Sequence, residues 1–356
     1  MYTRQDTLAV TVGDVVVGGG APVRVESMTK TDTRDAGATL AQLERLAAAG
    51  CELARVAVPD MDAARAFGTI AARSPIPVMA DIHFDFRLAM AAIEGGARAV
   101  RLNPGNITRP EHLRTLAAEM AARGVVARVG ANAGSLAADV RARWGGATAE
   151  ALAASALAAV AQLEDAGVTA ILASAKAVSP AVTLAANRLI AGGTRWPLHV
   201  GITEAGFGDA GVVRSAVGLG LILAAGLGDT LRVSLTDEPE REVAVGYEVL
   251  RALGLRRRGP TVVSCPGCGR TEVDIRKLAA AVSESLAGDG RDVTVAVMGC
   301  AVNGPGEARD ADVGVAGGRG RGVVYRRGEI VRAVAEEELV SALLDELDKT
   351  GEGRGC

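Results

Sequence analysis

The chain has 356 residues, with 39 Lys and Arg against 42 Asp and Glu and a formal net charge of −3. That balance excludes a global field attracting nucleic acid or an anionic membrane, so an anionic ligand has to be gripped by local cations. Residues are 49 % apolar but only 3 % aromatic, which predicts a core of Ala, Val and Leu suited to close packing of helices on strands.

The opening MYTRQDTLAVTVGD has no basic segment leading into an apolar one, so no secretory signal is read there. The apolar runs 151–163 and 216–227 are periodic, Ala/Gly-rich and too short to cross a bilayer. A soluble, cytoplasmic protein is expected.

From about residue 20 to 255 one pattern repeats: a short β-branched run, then an amphipathic Ala/Leu-rich segment. Strands are predicted at 23–28, 53–58, 77–82, 99–103, 126–131, 169–174, 198–203 and 230–235. Helices are predicted near 38–49, 61–73, 87–95, 110–123, 149–166, 180–191, 211–225 and 239–253. Asp60, Thr148, Ser179-Pro180 and Asp237-Glu-Pro-Glu supply starts, and Gly50, Gly124, Gly167 and Gly254 supply stops. Eight alternating pairs match a (β/α)8 TIM barrel. A doubly wound sheet is the competing reading. It would want a glycine-rich loop after its first strand, whereas Gly18-Gly19-Gly20 precedes it.

A barrel works at the carboxyl ends of its strands. Those ends carry Glu26 and Ser27, Arg55, Asp81 and His83, Arg101 and Asn103, Arg128 and Asn132. The second half adds Ser174 and Lys176, His199 and Glu204, then Arg232 and Ser234. A guanidinium inside an apolar strand is costly without an anion. One such arginine reads equally well as a structural ion pair. Four of them, Arg55, Arg101, Arg128 and Arg232, with Lys176 alongside, predict a cage for a multiply charged anion such as a diphosphate. Asp81 and His83, two residues apart on one face, suit proton transfer, or else a carboxylate orienting a structural histidine. Glu204 lies in a Gly-flanked loop that admits a ligand. His112 reads as a solvated surface residue, and Cys51 as a small buried hydrophobe.

Near 255–260 the sequence LRRRGP breaks the alternation. Domains are drawn at 1–257, the barrel, and 258–356, a small α/β domain. The second domain is expected to hold a strand into Cys265-Pro-Gly-Cys268, a helix at 272–287, and a strand at 292–298 delivering Cys300. Strands 313–316 and 322–326 and a closing helix 334–349 complete it, with a frayed tail. Five cysteines in so long a chain, three of them within 265–300, do not make a disulfide framework. With Glu307 they make four candidate ligands of one metal site. Structural zinc would want a second Cys or His pair. A bare redox Cys-x-x-Cys leaves Cys300 and the Gly-Pro-Gly-Glu turn unexplained. An iron–sulfur cluster takes thiolates as its usual ligands. All three readings stand on spacing alone.

Several long motifs together resemble one family. They are Cys265-Pro-Gly-Cys268, Met298-Gly-Cys300-Ala-Val-Asn-Gly-Pro-Gly-Glu307-Ala, Ser27-Met-Thr29, Ala80-Asp-Ile-His-Phe-Asp85, Arg101-Leu-Asn-Pro-Gly-Asn106, Asn132-Ala-Gly-Ser135, Gly201-Ile-Thr-Glu-Ala-Gly206 and Gly228-Asp-Thr-Leu-Arg-Val-Ser234. The chain is similar over nearly its whole length to the bacterial, two-domain 4-hydroxy-3-methylbut-2-enyl diphosphate synthases of the non-mevalonate isoprenoid pathway. The resemblance implies reductive ring opening and dehydration of 2-C-methyl-D-erythritol 2,4-cyclodiphosphate, an iron–sulfur oxidoreductase reaction. It implies a [4Fe–4S] cluster on Cys265, Cys268, Cys300 and Glu307, and diphosphate binding by Arg55, Arg101, Arg128, Lys176 and Arg232 with Asn103, Asn132 and Ser234. Asp81, His83 and Glu204 would lie near the reacting carbons, Glu204 as a proton donor. It also implies flavodoxin or ferredoxin as electron donor, and a homodimer in which one subunit's cluster domain caps the other's barrel. Glu26 departs from the family's common Gln, and Ala175 and Val178 replace commoner residues around Lys176. A pterin-dependent barrel methyltransferase and a zinc-stabilised binding module compete, the first leaving the cysteines unexplained and the second the cationic barrel mouth.

Overall fold

The computed structural model describes residues 2–82, 85–102, 107, 109–300, 306 and 309–351. The chain divides into two compact units, Met1–Arg256 and Arg257–Cys356.

The first unit opens with a hairpin that the sequence reading did not foresee, β1 (Val10–Val12) paired antiparallel with β2 (Val15–Val17). Eight parallel strands follow: β3 (Arg24–Met28), β4 (Leu53–Ala57), β5 (Val78–Asp81), β6 (Ala99–Arg101), β7 (Val126–Asn132), β8 (Ile171–Lys176), β9 (His199–Val200) and β10 (Thr230–Leu231). Their order is β8-β7-β6-β5-β4-β3-β10-β9. A bridge between Ala173 and Leu198, with the Ala173 N–H donating to the Pro197 carbonyl at 3.0 Å, draws the edges together into a barrel.

Helices α1 (Ala36–Ala49), α2 (Met61–Arg73), α3 (Phe86–Glu94), α4 (Pro110–Arg123), α6 (Ala149–Asp165), α7 (Pro180–Gly193), α8 (Gly208–Ala224) and α9 (Pro239–Ala252) alternate with the strands. A short helix α5 (Ala138–Arg143) after β7 is additional. Asp60, Thr148 and Ser179 accept the backbone N–H groups of Ala63, Ala151 and Val182, fixing three helix starts. Asp237 does not cap α9; that position is Glu238, whose side chain makes no capping bond. Gly50 closes α1 in the left-handed conformation, φ 96°.

Strand alternation decides what points where. Leu53, Met79, Ala99, Val126 and Leu172 share one apolar cluster with Val10, Val12 and Val17 of the hairpin, which therefore plugs the amino end of the barrel. Two residues further along the same strands come Arg55, Asp81, Arg101, Arg128 and Ser174, on the same inward face. The intervening Ala54, Val56, Ala80, Val100, Ala127 and Ala173 pack outward against the helices. The ladders of β9 and β10 stop at Val200 and Leu231, short of the predicted 203 and 235, and contact resumes at a Gly206–Leu235 bridge.

The second unit is a five-stranded sheet in the order β11-β12-β13-β14-β15. Its strands are β11 (Thr261–Ser264), β12 (Thr294–Met298), β13 (Val313–Gly318), β14 (Arg321–Arg326) and β15 (Glu329–Ala335), with α10 (Ile275–Ser285) and α11 (Leu339–Gly351). Ile275, Val282, Leu339, Leu343 and Leu347 close its core against Val295, Val297, Val313 and Val315. Two expectations are corrected. The helix predicted at 272–287 begins only at Ile275, capped by Asp274. The closing helix predicted from 334 begins at Leu339, because 329–335 is a strand. Arg327 and Gly328, both at positive φ (51° and 82°), make a two-residue turn between the paired Arg326 and Glu329. Such a turn matches strand twist and continues the sheet.

Candidate active site

Arg55, Arg101, Arg128, Gly130, Asn132, Ser174, Lys176, Thr203, Arg232 and Ser234 line one cavity of about 60 Å³ at the carboxyl ends of the barrel strands. Seven of the predicted site residues, Arg55, Arg101, Arg128, Asn132, Lys176, Arg232 and Ser234, therefore meet in one place. Register explains the grouping: Asp81 lies opposite Arg101, and Arg101 opposite Arg128, on neighbouring strands.

The arginines pair with carboxylates, and the lysine meets a histidine. Asp81, 6 % exposed, sits between two guanidinium groups, with Oδ1 3.3 Å from Arg101 Nη1 and Oδ2 3.6 Å from Arg55 Nε. Arg128 donates to Glu26 Oε1 at 2.5 Å. Arg232 reaches Glu242 Oε2 through Nε and Nη2, both at 3.3 Å. Arg55 also donates to the Met28 sulfur from two nitrogens, at 3.3 and 3.2 Å. Lys176 Nζ lies 2.7 Å from His199 Nε2.

Four arginines and a lysine thus face three carboxylates, Asp81, Glu26 and Glu242, an excess of cations that an incoming anion would offset. Burial pushes Arg128 down to about 10, opposed by Glu26, so it keeps its charge near neutrality. Burial, reinforced by Arg128 and Arg55, holds Lys176 well below the ordinary lysine value. Burial and the Arg128 guanidinium likewise keep His199 neutral.

Glu204 does not line the cavity. It is exposed, in a left-handed conformation with φ 51° that is uncommon for a residue with a side chain. A Cβ on Gly134, in the loop after β7, would lie 3.6 Å from its carboxylate. His83 and Asn103 lie outside the described residues. His199 sits at the start of β9 rather than past its end, with its ring fully buried inside the barrel. His112 is half-buried and stacks on Phe86, with ring centroids 4.5 Å apart. Burial raises the Cys51 thiol to about 12, consistent with an inert core residue.

The sequence reading did not assign Glu242, Met28 and Thr203. Glu242 carries a signal that could have found it. It falls on the stripe of α9 occupied by Pro239, Val243, Gly246 and Leu250, all buried, and a carboxylate on an apolar stripe implies a buried partner.

In the second unit, parallel β11 and β12 run side by side, Ser264 opposite Val297. Cys265 and Cys300 therefore follow neighbouring strand ends. The Gly299 N–H donates to Cys265 Sγ at 3.2 Å, and the Cys268 N–H donates to Thr271 Oγ1 at 2.8 Å. A Cβ on Gly299 would meet Thr271 at 2.8 Å, so glycine permits this close approach. Cys265 is half-buried, Cys268 exposed and Cys300 buried. Glu307 lies outside the described residues, and among the described residues no group of three or more His, Cys, Asp and Glu forms a metal site. No helix among them is long and apolar enough to cross a membrane.

An α/β barrel with a polybasic pocket at its strand ends, followed by a small sheet bearing a Cys-x-x-Cys turn, defines the class. Residues 7–247 match the GcpE TIM-barrel domain and residues 261–349 the GcpE protein C-terminal domain. The chain belongs to the GcpE family. It is 54 % identical over 343 residues to the 4-hydroxy-3-methylbut-2-en-1-yl diphosphate synthase (flavodoxin) of Geobacter sulfurreducens, covering 96 % of this chain and 97 % of that one. It is 50 % identical over 349 residues to the protein of the same name from Maridesulfovibrio salexigens, covering 98 % of each. Among solved structures, Yersinia pestis dihydropteroate synthase aligns with a TM-score of 0.47 at 12 % identity, over 70 % of this chain and 99 % of that one.

Proposed function

We propose that this chain is a flavodoxin-dependent 4-hydroxy-3-methylbut-2-enyl diphosphate synthase. Its substrate would be 2-C-methyl-D-erythritol 2,4-cyclodiphosphate, which takes up two electrons, opens its ring and loses water. The observation that carries the reading is the convergence of Arg55, Arg101, Arg128, Lys176 and Arg232 on one buried polar cavity, in a chain about half identical to proteins of that name.

Arg55, Arg101, Arg128 and Arg232 would grip the diphosphate oxygens, with Lys176, Asn132 and Ser234 completing the hydrogen bonds. Asp81 and Glu242 would hold their guanidinium groups in place. Asp81 already accepts from Arg101 and pairs with Arg55, which favours an orienting duty over proton transfer. Glu204, at a strained loop position facing Gly134, would hand its proton to the departing hydroxyl oxygen, which leaves as water. Asn103 would contribute a further contact to the anion and His83 one near the reacting carbons.

The residues of domain 258–356 fit a redox centre. Cys265 and Cys300 end adjacent strands, and a backbone N–H is already directed at the Cys265 sulfur, the kind of donor that stabilises cluster thiolates. Cys265, Cys268, Cys300 and Glu307 would hold a [4Fe–4S] cluster, which when bound supplies the two electrons delivered by reduced flavodoxin or ferredoxin. The family resemblance further supports a cytoplasmic homodimer.

Anaerobic purification followed by iron, sulfide and zinc assays, with turnover of the cyclodiphosphate under reduced flavodoxin, tests the reading. Four iron and four sulfide per chain with product formation are expected. Zinc without sulfide, or no turnover by cluster-loaded protein, would overturn it. Glu204→Gln should keep the cluster and lose most turnover; full activity would remove the acid role.

A further inference from the structure

Two buried polar atoms on barrel strands separated only by β10 lack a hydrogen-bond partner within ordinary reach: Oε2 of Glu26 on β3 and Nδ1 of His199 on β9. They face each other at 3.5 Å, and both side chains are fully buried. One assignment serves both atoms best. A hydrogen on Nδ1 turns a donor toward the carboxylate, close enough for a small side-chain adjustment to complete the bond, and the ring is neutral. Nε2 then carries a lone pair, and the nearest group to it is Lys176 Nζ at 2.7 Å. The other oxygen of Glu26 is occupied by Arg128 Nη1 at 2.5 Å.

We infer that Glu26 is a positioning residue for the anion pocket: through His199, held as the Nδ1–H tautomer, it presents an acceptor to Lys176 and seats the ammonium among the pocket arginines. The inference rests on the cavity being the diphosphate site.

The alternative tautomer shows why the carboxylate matters. With Nε2–H, the ring would present a donor to Lys176. An ammonium has three donors and no acceptor, so Lys176 would have to lose its proton or swing away. Replacing Glu26 by Gln imposes that arrangement. Arg128 demands the amide oxygen, so the amide N–H faces Nδ1 and drives the hydrogen to Nε2. The charges that act most on Lys176 come from four strands: Arg55 on β4, Arg128 on β7, Arg232 after β10, and Glu26 on β3, with the Asp81–Arg101 pair on β5 and β6 beyond them. Only Glu26 among those four favours the protonated lysine. The relay therefore determines the pH at which the pocket keeps its fifth cation.

The chain has three histidines, so ¹⁵N-histidine spectra can resolve each ring, with His112→Gln as an assignment control. In ligand-free protein, His199 is expected as the neutral Nδ1–H tautomer, switching to Nε2–H in Glu26→Gln. It should stay Nδ1–H in Lys176→Met, because the carboxylate and not the lysine fixes it. An Nε2–H ring in the unaltered protein, or one indifferent to Glu26→Gln, would overturn the relay. The second arm titrates inorganic diphosphate against pH. The midpoint above which affinity falls should move to lower pH in Glu26→Gln, and an unchanged midpoint would overturn the positioning role. If the unaltered protein binds no diphosphate while the tautomer behaves as stated, the substrate reading fails and the relay survives.

Discussion

Arg232 and Glu242 meet inside the barrel wall, two guanidinium nitrogens sharing one carboxylate oxygen at 3.3 Å. Glu242 is 1 % exposed and also accepts from the Ser27 hydroxyl at 3.1 Å and the Leu235 N–H at 3.0 Å. Removing one partner of such a buried pair strands the other, at a cost of roughly 3–5 kcal/mol. Glu242→Ala should lower stability by that amount in chemical denaturation. Glu242→Gln should lose less, because its amide oxygen still accepts one guanidinium N–H. Equal losses in both would show that the carboxylate packs rather than pairs.

Asp229, at the amino end of the barrel, accepts from the Leu198 N–H at 2.7 Å and the Thr7 hydroxyl at 2.8 Å. Burial raises its carboxyl from 3.8 to about 6, against the pull of those two donors. A folded-state value above the unfolded one means that the protonated acid is the form folding prefers. Its contribution is fully present below the ordinary carboxylate value and is lost as pH rises through about 6. Asp229→Asn should abolish that decline, worth on the order of 2–3 kcal/mol between acid and neutral pH. Its amide can accept from Leu198 and donate to Thr7. Parallel pH–stability curves for the two proteins would contradict the assignment.

Gly201 brings β9 against the backbone carbonyl of Arg232, and a Cβ there would also stand 3.2 Å from Lys176 Nζ. Neither the carbonyl nor the lysine can retreat without moving a pocket cation. Gly201→Ala is expected to cost about 1–3 kcal/mol through overpacking and to weaken diphosphate binding about tenfold or more. Calorimetric titration reads both the affinity and the fraction of active sites. Unaltered affinity would mean that the strand yields without disturbing Lys176.

Cysteine replacement separates the two units. Cys268→Ser should eliminate stoichiometric iron and sulfide while leaving inorganic diphosphate affinity within about twofold, since the cavity is lined by first-unit residues alone. Loss of both properties together would imply that the units share one site.

How much was legible follows from periodicity. The barrel could be read because short β-branched runs recur between amphipathic Ala/Leu-rich segments, and counting eight such pairs needs no tertiary knowledge. The same count put Arg55, Arg101, Arg128 and Lys176 at the carboxyl ends of their strands. Their counter-charges were harder to place. Glu242 comes from a helix, and its pairing with Arg232 is visible only once α9 is docked. The partnership of His199 with Lys176 needs β8 and β9 closed side by side. The β1–β2 hairpin was missed because VTV and VVV are too short to show a period, although the intervening Gly13-Asp14 is a turn signal. Strand β15 was lost to the acidic run Glu336–Glu338, which resembles a helix start and concealed the Arg327-Gly328 turn before it.

The plug of Val10, Val12 and Val17 gives the barrel a floor. A molecule that reaches the cations finds no way onward through the amino end, where the plug packs against the strands. On the proposed reading, a product that retains its diphosphate would hold the same arginines that its successor needs. Turnover would then depend on departure as well as on chemistry, and the product should compete directly with the substrate. The same floor gives the arginines an apolar underside, where the field of an arriving anion is weakly screened.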